Sequence, residues 1–131
     1  MRPRSFQIKI LAGAIVTAAI VTALASDVEK KPKYSAKEVM KEIHKGEDNV
    51  GKRVLKATAS KEDIARMVEY YASLPLNDPP RGEKDSWLAK TTALVKASEE
   101  IKAGKPEALE HYKAAANCKA CHEAHKPQEK K

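Results

Sequence analysis

Apolar side chains recur at helical spacing in four stretches of the chain, which are separated by residues that begin or end helices. The clearest stripe follows the cap signal Ser60 to Asp63. Its five members lie at positions i, i+3, i+4, i+7 and i+10: Ile64, Met67, Val68, Tyr71 and Leu74. No useful length of sequence alternates between apolar and polar residues as a strand would. The pattern predicts an all-α fold, an antiparallel four-helix bundle.

The first two helices have clear starting signals. Helix A is predicted over about 35–57, because Ser35-Ala-Lys-Glu38 has the form of a capping box. Gly46 and Gly51 weaken its middle, so we expect the helix to bend or break there. Helix B follows the stripe described above and is expected to end at Pro75.

The second half of the chain holds the other two helices. A proline-rich stretch precedes helix C, for which Asp85 or Ser86 is the predicted cap and Gly104 the predicted end. Helix D is predicted over about 106–126, with Pro106 at its first position, where a proline ring is well tolerated.

The N-terminal segment has the features of an export signal. Its first nine residues carry three basic and no acidic residues, and the next sixteen are uncharged and end in small residues. This predicts a signal peptide over 1–25, cleaved after Ala25. An uncleaved membrane anchor is the alternative, although a spanning helix needs about 20 apolar residues. We expect a leader over 26–34, a domain over 35–126 and a polar tail over 127–131, located in the periplasm.

The charge of the chain indicates a solvated surface. The sequence has 25 basic and 18 acidic residues, a formal net charge of +7. Arg2, Arg4 and Lys9 belong to the predicted signal peptide, and the remaining charges of both signs are interleaved, so we expect no nucleic-acid partner. Phosphate-binding loops, GxSxG and HExxH are absent from the sequence, and no residue pair suggests acid–base or nucleophilic catalysis. We therefore expect a protein that is not an enzyme.

The segment Cys118-Lys119-Ala120-Cys121-His122 has the pattern CxxCH. Two thiols three residues apart on a helix project from the same side and can form thioethers with the two vinyl groups of one porphyrin. His122 lies on that face and can reach the iron as the proximal axial ligand. The pattern predicts one covalent haem c per chain. Aromatic residues make up only 5% of the chain, so a haem could also supply apolar bulk to the core.

Three other interpretations of the cysteines are weaker. A structural zinc site needs four ligands, and Cys118, Cys121, His122 and His125 would have to supply them from within eight residues. A thioredoxin-like CxxC follows a strand at the start of a helix, whereas the sequence predicts this one late in helix D. A disulfide between Cys118 and Cys121 is the plain alternative in an oxidising compartment.

A C-terminal CKACH on the last of four helices resembles the class II cytochromes, the family of cytochrome c′ and cytochrome c556, over most of residues 34–126. Lys126 follows His122 by four residues, where the family commonly has Arg or Lys, and is the expected proximal-side charge. Val39-Met40-Lys41-Glu42-Ile43 is similar to the first-helix stretch that covers the distal face of the haem. The resemblance implies haem near the end of the last helix, periplasmic redox partners and a possible homodimer.

The distal ligand decides between two functions. In an up-down-up-down bundle the start of helix A lies beside the end of helix D, which places Met40 at the level of the haem. If Met40 binds the iron, six-coordinate haem suits electron transfer; if it only packs, five-coordinate iron can bind nitric oxide or carbon monoxide. His44, one turn further on, is the second choice as ligand. We expect Met67 in the core and both His111 and His125 at the surface.

Overall fold

The structure, a computed structural model, describes residues 30–129, and the predicted signal peptide lies outside them. Of the described residues, 64% are helical and none lies in a strand, which confirms the all-α prediction. Among these helices, none has the length and apolar character to cross a membrane. The elements are α1 (Ala36–Val39), continued by a π-helix (Met40–His44), α2 (Val50–Leu55), α3 (Lys61–Tyr71), a 3₁₀ turn (Leu74–Leu76), α4 (Lys84–Lys102), α5 (Ala108–Ala115) and α6 (Cys118–His125).

Helix A is interrupted at the first of its two glycines. The capping box at Ser35 is present and starts α1, but the chain leaves the helix after His44. Gly46 has a φ of +99°, in the left-handed region that favours glycine. The Asn49 side chain donates to the carbonyls of His44 and Gly46 at 2.9 and 2.8 Å, and it caps the start of α2. Gly51 lies inside α2, so the break belongs to Gly46 and Asn49.

The single helix D predicted over 106–126 is wrong, because two helices occupy that range. Pro106 lies in the turn before α5 and not at its first position, and Glu107 adopts a positive φ of +65°. The Asn117 side chain accepts a hydrogen bond of 3.1 Å from a backbone N–H in the first turn of α6. Cys118 is therefore the first residue of a helix, and the expectation that the CxxC segment lies late in a helix is also wrong.

The ends of the middle helices differ from prediction by one short turn. α3 ends at Tyr71, and Pro75 lies in the 3₁₀ turn that follows. α4 begins at Lys84, so that neither Asp85 nor Ser86 is its cap. These differences leave the faces of both helices unchanged.

The core forms around α4, which packs against α3 and α5 and contacts α6, while α2 contacts α3 and α5. Met67 is fully buried, as predicted. The indole N–H of Trp87 donates to the carbonyls of Leu74 (3.1 Å) and Asn77 (2.9 Å) and so ties the 3₁₀ turn to α4. The core cluster consists of Val39, Ile43, Val50, Val54, Met67, Tyr71, Leu74, Trp87, Ala97 and Tyr112.

The proline-rich loop before α4 clamps the C-terminal end of α6. The Arg81 side chain donates to the backbone oxygens of Glu123 (2.5 Å) and Lys126 (3.0 Å). Gly82 approaches so closely that a Cβ there would lie 2.6 Å from the backbone oxygen of Ala124. Since both contacts are made to backbone, the loop fixes the position of the helix that begins with Cys118.

We expect Gly82→Ala to destabilise the protein more than Gly104→Ala. Both glycines have positive φ, +80° and +67°, so both variants carry the left-handed backbone cost of about 1–2 kcal/mol. At Gly104 a Cβ would meet nothing within 4 Å, whereas at Gly82 it would collide with Ala124. Denaturant unfolding of the two variants measures the difference. Equal losses would show that the clamp contributes nothing to stability.

Candidate functional site

A cleft of about 920 Å³ lies between α1 with its π-helix, α4 and the region where α5 meets α6. Its size falls in the range of about 300–1,000 Å³ that is usual for ligand pockets. Trp87, Leu74 and Leu94 contribute large apolar side chains to its lining. Because alanine side chains extend little from the backbone, alanines from four helices and the turn between α5 and α6 leave the space open: Ala36, Ala89, Ala93, Ala114, Ala115, Ala116 and Ala120.

The CxxCH side chains all line this cleft. Cys118, Cys121 and His122 are the first, fourth and fifth residues of α6, a spacing that puts them on one helical face. Both cysteines are free thiols; that of Cys118 is exposed and donates to the carbonyl of Ala116 at 3.5 Å. Burial raises the pKa of the Cys121 thiol, so this group is protonated at neutral pH.

Met40 and His44 line the same cleft from another part of the chain. They are the first and last residues of the π-helix that continues α1. Short π segments are rare, and they are often found at functional sites. The structure thus brings both candidate distal ligands to the cleft that the CxxCH side chains line, and each is half-buried there.

His44 is part of a hydrogen-bonded chain that runs into the core. Its Nε2 lies 2.8 Å from the hydroxyl of Tyr71, and that hydroxyl lies 2.8 Å from the hydroxyl of Tyr112. Burial lowers the pKa of His44, and the nearby His122 lowers it further. Burial also holds the pKa of Tyr71 well above its ordinary value. At neutral pH the chain therefore consists of a neutral imidazole and two protonated phenols.

His125 is buried, so the prediction of an exposed side chain is wrong. It is 2% exposed; its Nδ1 lies 2.7 Å from the Arg81 carbonyl and its Nε2 lies 3.1 Å from Oγ of Ser86. Its ring meets that of Trp87 edge to face, with the centroids 5.4 Å apart. The loop that folds back over α6 causes this burial. Lys126, the next residue, is exposed and lines the cleft.

Comparison with known proteins identifies no relative from which a function could be transferred to this chain. No family model, no curated protein and no solved structure matches the chain. The function is therefore indicated by the chemistry of the groups that line the cleft.

The structure does not support a zinc site formed by the two cysteines with His122 and His125. Within residues 30–129, no group of three or more His, Cys, Asp or Glu side chains is arranged to hold a metal ion. Both ring nitrogens of His125 are hydrogen-bonded elsewhere, which removes the fourth ligand of the proposed set. A haem iron takes its equatorial nitrogens from the porphyrin and needs only axial ligands from the protein. At the apolar cleft, the imidazole of His122 and the thioether of Met40 can supply axial ligands, and the two free thiols can attach the porphyrin.

The structure confirms the prediction for His111 and adds a contact between two tyrosines that the sequence does not predict. His111 is exposed, as predicted, and its Nδ1 lies 2.6 Å from a carboxylate oxygen of Glu100, which holds the pKa of that carboxyl below its usual value. Tyr71 belongs to the apolar stripe of helix B, and Tyr112 is a core residue of α5. Nothing in the sequence shows that their hydroxyls, 41 residues apart, meet each other beside His44.

Proposed function

We propose that this chain is an exported monohaem c-type cytochrome, a four-helix bundle of the class II kind, that passes electrons between periplasmic redox partners. The observation that carries the proposal is the position of Cys118, Cys121 and His122 on one face of α6 at an apolar cleft of about 920 Å³. The haem, when bound there, supplies a one-electron couple.

The thiols and the imidazole have separate tasks in this proposal. Cys118 and Cys121 would hold the haem through two thioethers, each thiol adding across one vinyl double bond with its hydrogen going to the neighbouring carbon. His122 would provide the proximal nitrogen. The clamp of the proline-rich loop on α6 holds this helix in place, since Arg81 bonds to backbone oxygens at its C-terminal end.

Met40 is the proposed distal ligand. It shares the cleft with His122 but lies on a different helix. Thioether ligation raises the reduction potential of a haem, and a ligand set that stays the same in both oxidation states suits electron transfer. His44 remains the second choice, and its Nε2 is already hydrogen-bonded to Tyr71.

The charged side chains at the cleft are mostly positive, which favours a ligand that carries anionic groups at its edge. Three lysines, Lys37, Lys90 and Lys126, line it together with one carboxylate, Glu129. Opposite charges attract most strongly where the groups are partly shielded from water. We propose that these lysines hold the carboxylate side chains of the porphyrin, which extends the proximal-side role of Lys126 to two further residues.

A dithiol redox protein is the second candidate, because Cys118 opens a helix as reactive CxxC cysteines do. Reactive CxxC cysteines of that kind follow a strand of a βαβ unit, whereas the described residues contain no strand to precede the helix. A haem protein is therefore the better proposal for this arrangement.

Absorption spectra of the purified protein, made in a host that matures c-type cytochromes, test the proposal. We expect the reduced protein to show the narrow bands of low-spin haem c, and carbon monoxide to bind slowly because Met40 must first dissociate. A haem protein that binds carbon monoxide at once would instead support the gas-binding function of five-coordinate iron. A colourless protein would contradict both functions and leave the dithiol candidate.

A further inference from the structure

Two possible axial ligands lie on one short π-helical segment. Met40 and His44 both line the cleft, and either side chain can serve as an axial ligand of haem iron. Which of them reaches the iron must therefore depend on what surrounds the His44 ring.

The His44 ring is held by a hydrogen bond at one nitrogen and by close packing at the other. Nε2 lies 2.8 Å from the Tyr71 hydroxyl. Nδ1 faces Gly51 so closely that a Cβ at Gly51 would lie 2.9 Å from it. The imidazole also stacks on the Tyr71 ring, with an interplanar angle of 16°. The ring is thus held from the side of α3 and from the side of α2.

Tyr71 is itself fixed. Its side chain is fully buried, and its hydroxyl bonds to the equally buried hydroxyl of Tyr112 at 2.8 Å. No buried side-chain nitrogen or oxygen in the described residues lacks a hydrogen-bond partner. Turning His44 out of this chain would remove a partner from a buried hydroxyl, which costs free energy.

We propose that Tyr71 selects the axial ligand by withholding His44 from the iron. At Nε2 the bond has this effect in either tautomer of the imidazole: Nε2 either accepts a hydrogen bond from the phenol, and so uses its lone pair, or carries a hydrogen and has no lone pair to give. Nδ1 packs against Gly51, which leaves no space for a haem iron beside it. Met40 is then left as the ligand. Tyr71 acts through His44 and is a positioning residue; the inference rests on the proposed haem.

The test is Tyr71→Phe in the haem-loaded protein, which removes the hydroxyl and keeps the ring. With Nε2 released, His44 can turn into the cleft. We expect the far-red charge-transfer band of ferric methionine-ligated haem to be lost and the reduction potential to fall, as two imidazole ligands require. Tyr112→Phe is the matched control: it removes a hydroxyl from the same chain but leaves the Tyr71–His44 bond, so the band should persist.

Two more variants make the result decisive. Tyr71→Phe combined with His44→Ala should restore the far-red band, because only a freed His44 causes its loss. Gly51→Ala displaces the ring from the other side without touching either tyrosine, and it should weaken the same band. This second route tests the idea even if Tyr71→Phe folds poorly.

These experiments distinguish a failure of this inference from a failure of the proposed cytochrome function. Covalent haem with an unchanged far-red band and potential in both Tyr71→Phe and Gly51→Ala would overturn the role of Tyr71 and leave the cytochrome function intact. A native protein that already has two imidazole ligands, shown by a ligand change in His44→Ala, would also overturn it. Absence of haem would refute the proposed function, and this inference with it.

Discussion

Replacing both Cys118 and Cys121 with alanine is expected to abolish covalent haem attachment. The native chain should keep its haem through acid–organic extraction and denaturing electrophoresis, because thioether bonds survive both treatments. The double variant has no thiol and should release any haem it carries. Intact mass and haem-stained gels measure the difference. Either single variant should retain one thioether and therefore part of the covalent haem.

Lys119→Ala is the matched control for this experiment. Lys119 lies between the two cysteines, is exposed, and makes only a distant surface pair of 3.9 Å with Glu123. Its replacement leaves the spacing of the thiols and the imidazole unchanged, so covalent haem should form as in the native chain. Recovery of native protein without haem, carrying a free dithiol or a disulfide, would contradict the cytochrome function.

Replacing Met40 with alanine is expected to open the distal side of the iron. The ferric protein should lose its far-red charge-transfer band, because the sulfur–iron bond is gone. The reduction potential should fall, since a methionine ligand raises it. Carbon monoxide should bind the ferrous variant rapidly, because no ligand has to leave first. Absorption spectra, redox titration and carbon monoxide mixing measure these three effects.

Met67→Leu controls for the loss of a methionine as such. Met67 is fully buried in the core cluster and does not line the cleft, so this replacement should leave spectrum and potential unchanged. If the native protein binds carbon monoxide rapidly and Met40→Ala alters only the rate, Met40 merely packs and the gas-binding function is favoured. If the low-spin spectrum survives in Met40→Ala but is lost in His44→Ala, His44 is the ligand.

Local patterns in the sequence were enough to predict the helical class and much of the core. The capping boxes at Ser35 and Ser60 start helices as predicted, because each is closed within four residues of the chain. Met67 is buried because it belongs to a stripe of helical period. The CxxCH pattern places its three side chains on one face of α6 for the same reason. Such features depend on neighbours in the sequence.

Other features required residues that are remote in the sequence. Asn117 caps α6, but the alanines before it favour a continuous helix, so the sequence pattern does not predict the break at this point. His125 is buried because Arg81 and Ser86, 44 and 39 residues earlier, fold back onto it. No periodicity in α6 indicates that contact.

The sequence by itself determined that this chain forms helices and that the thiols and imidazole of its CxxCH segment share a helical face, because backbone geometry links residues three and four positions apart. The tertiary structure decided that Met40 and His44 line the cleft of that segment and that Tyr71 binds His44. Those contacts arise when α3, α5 and the π-helix pack together, and buried hydroxyls then take the partners that packing brings within reach.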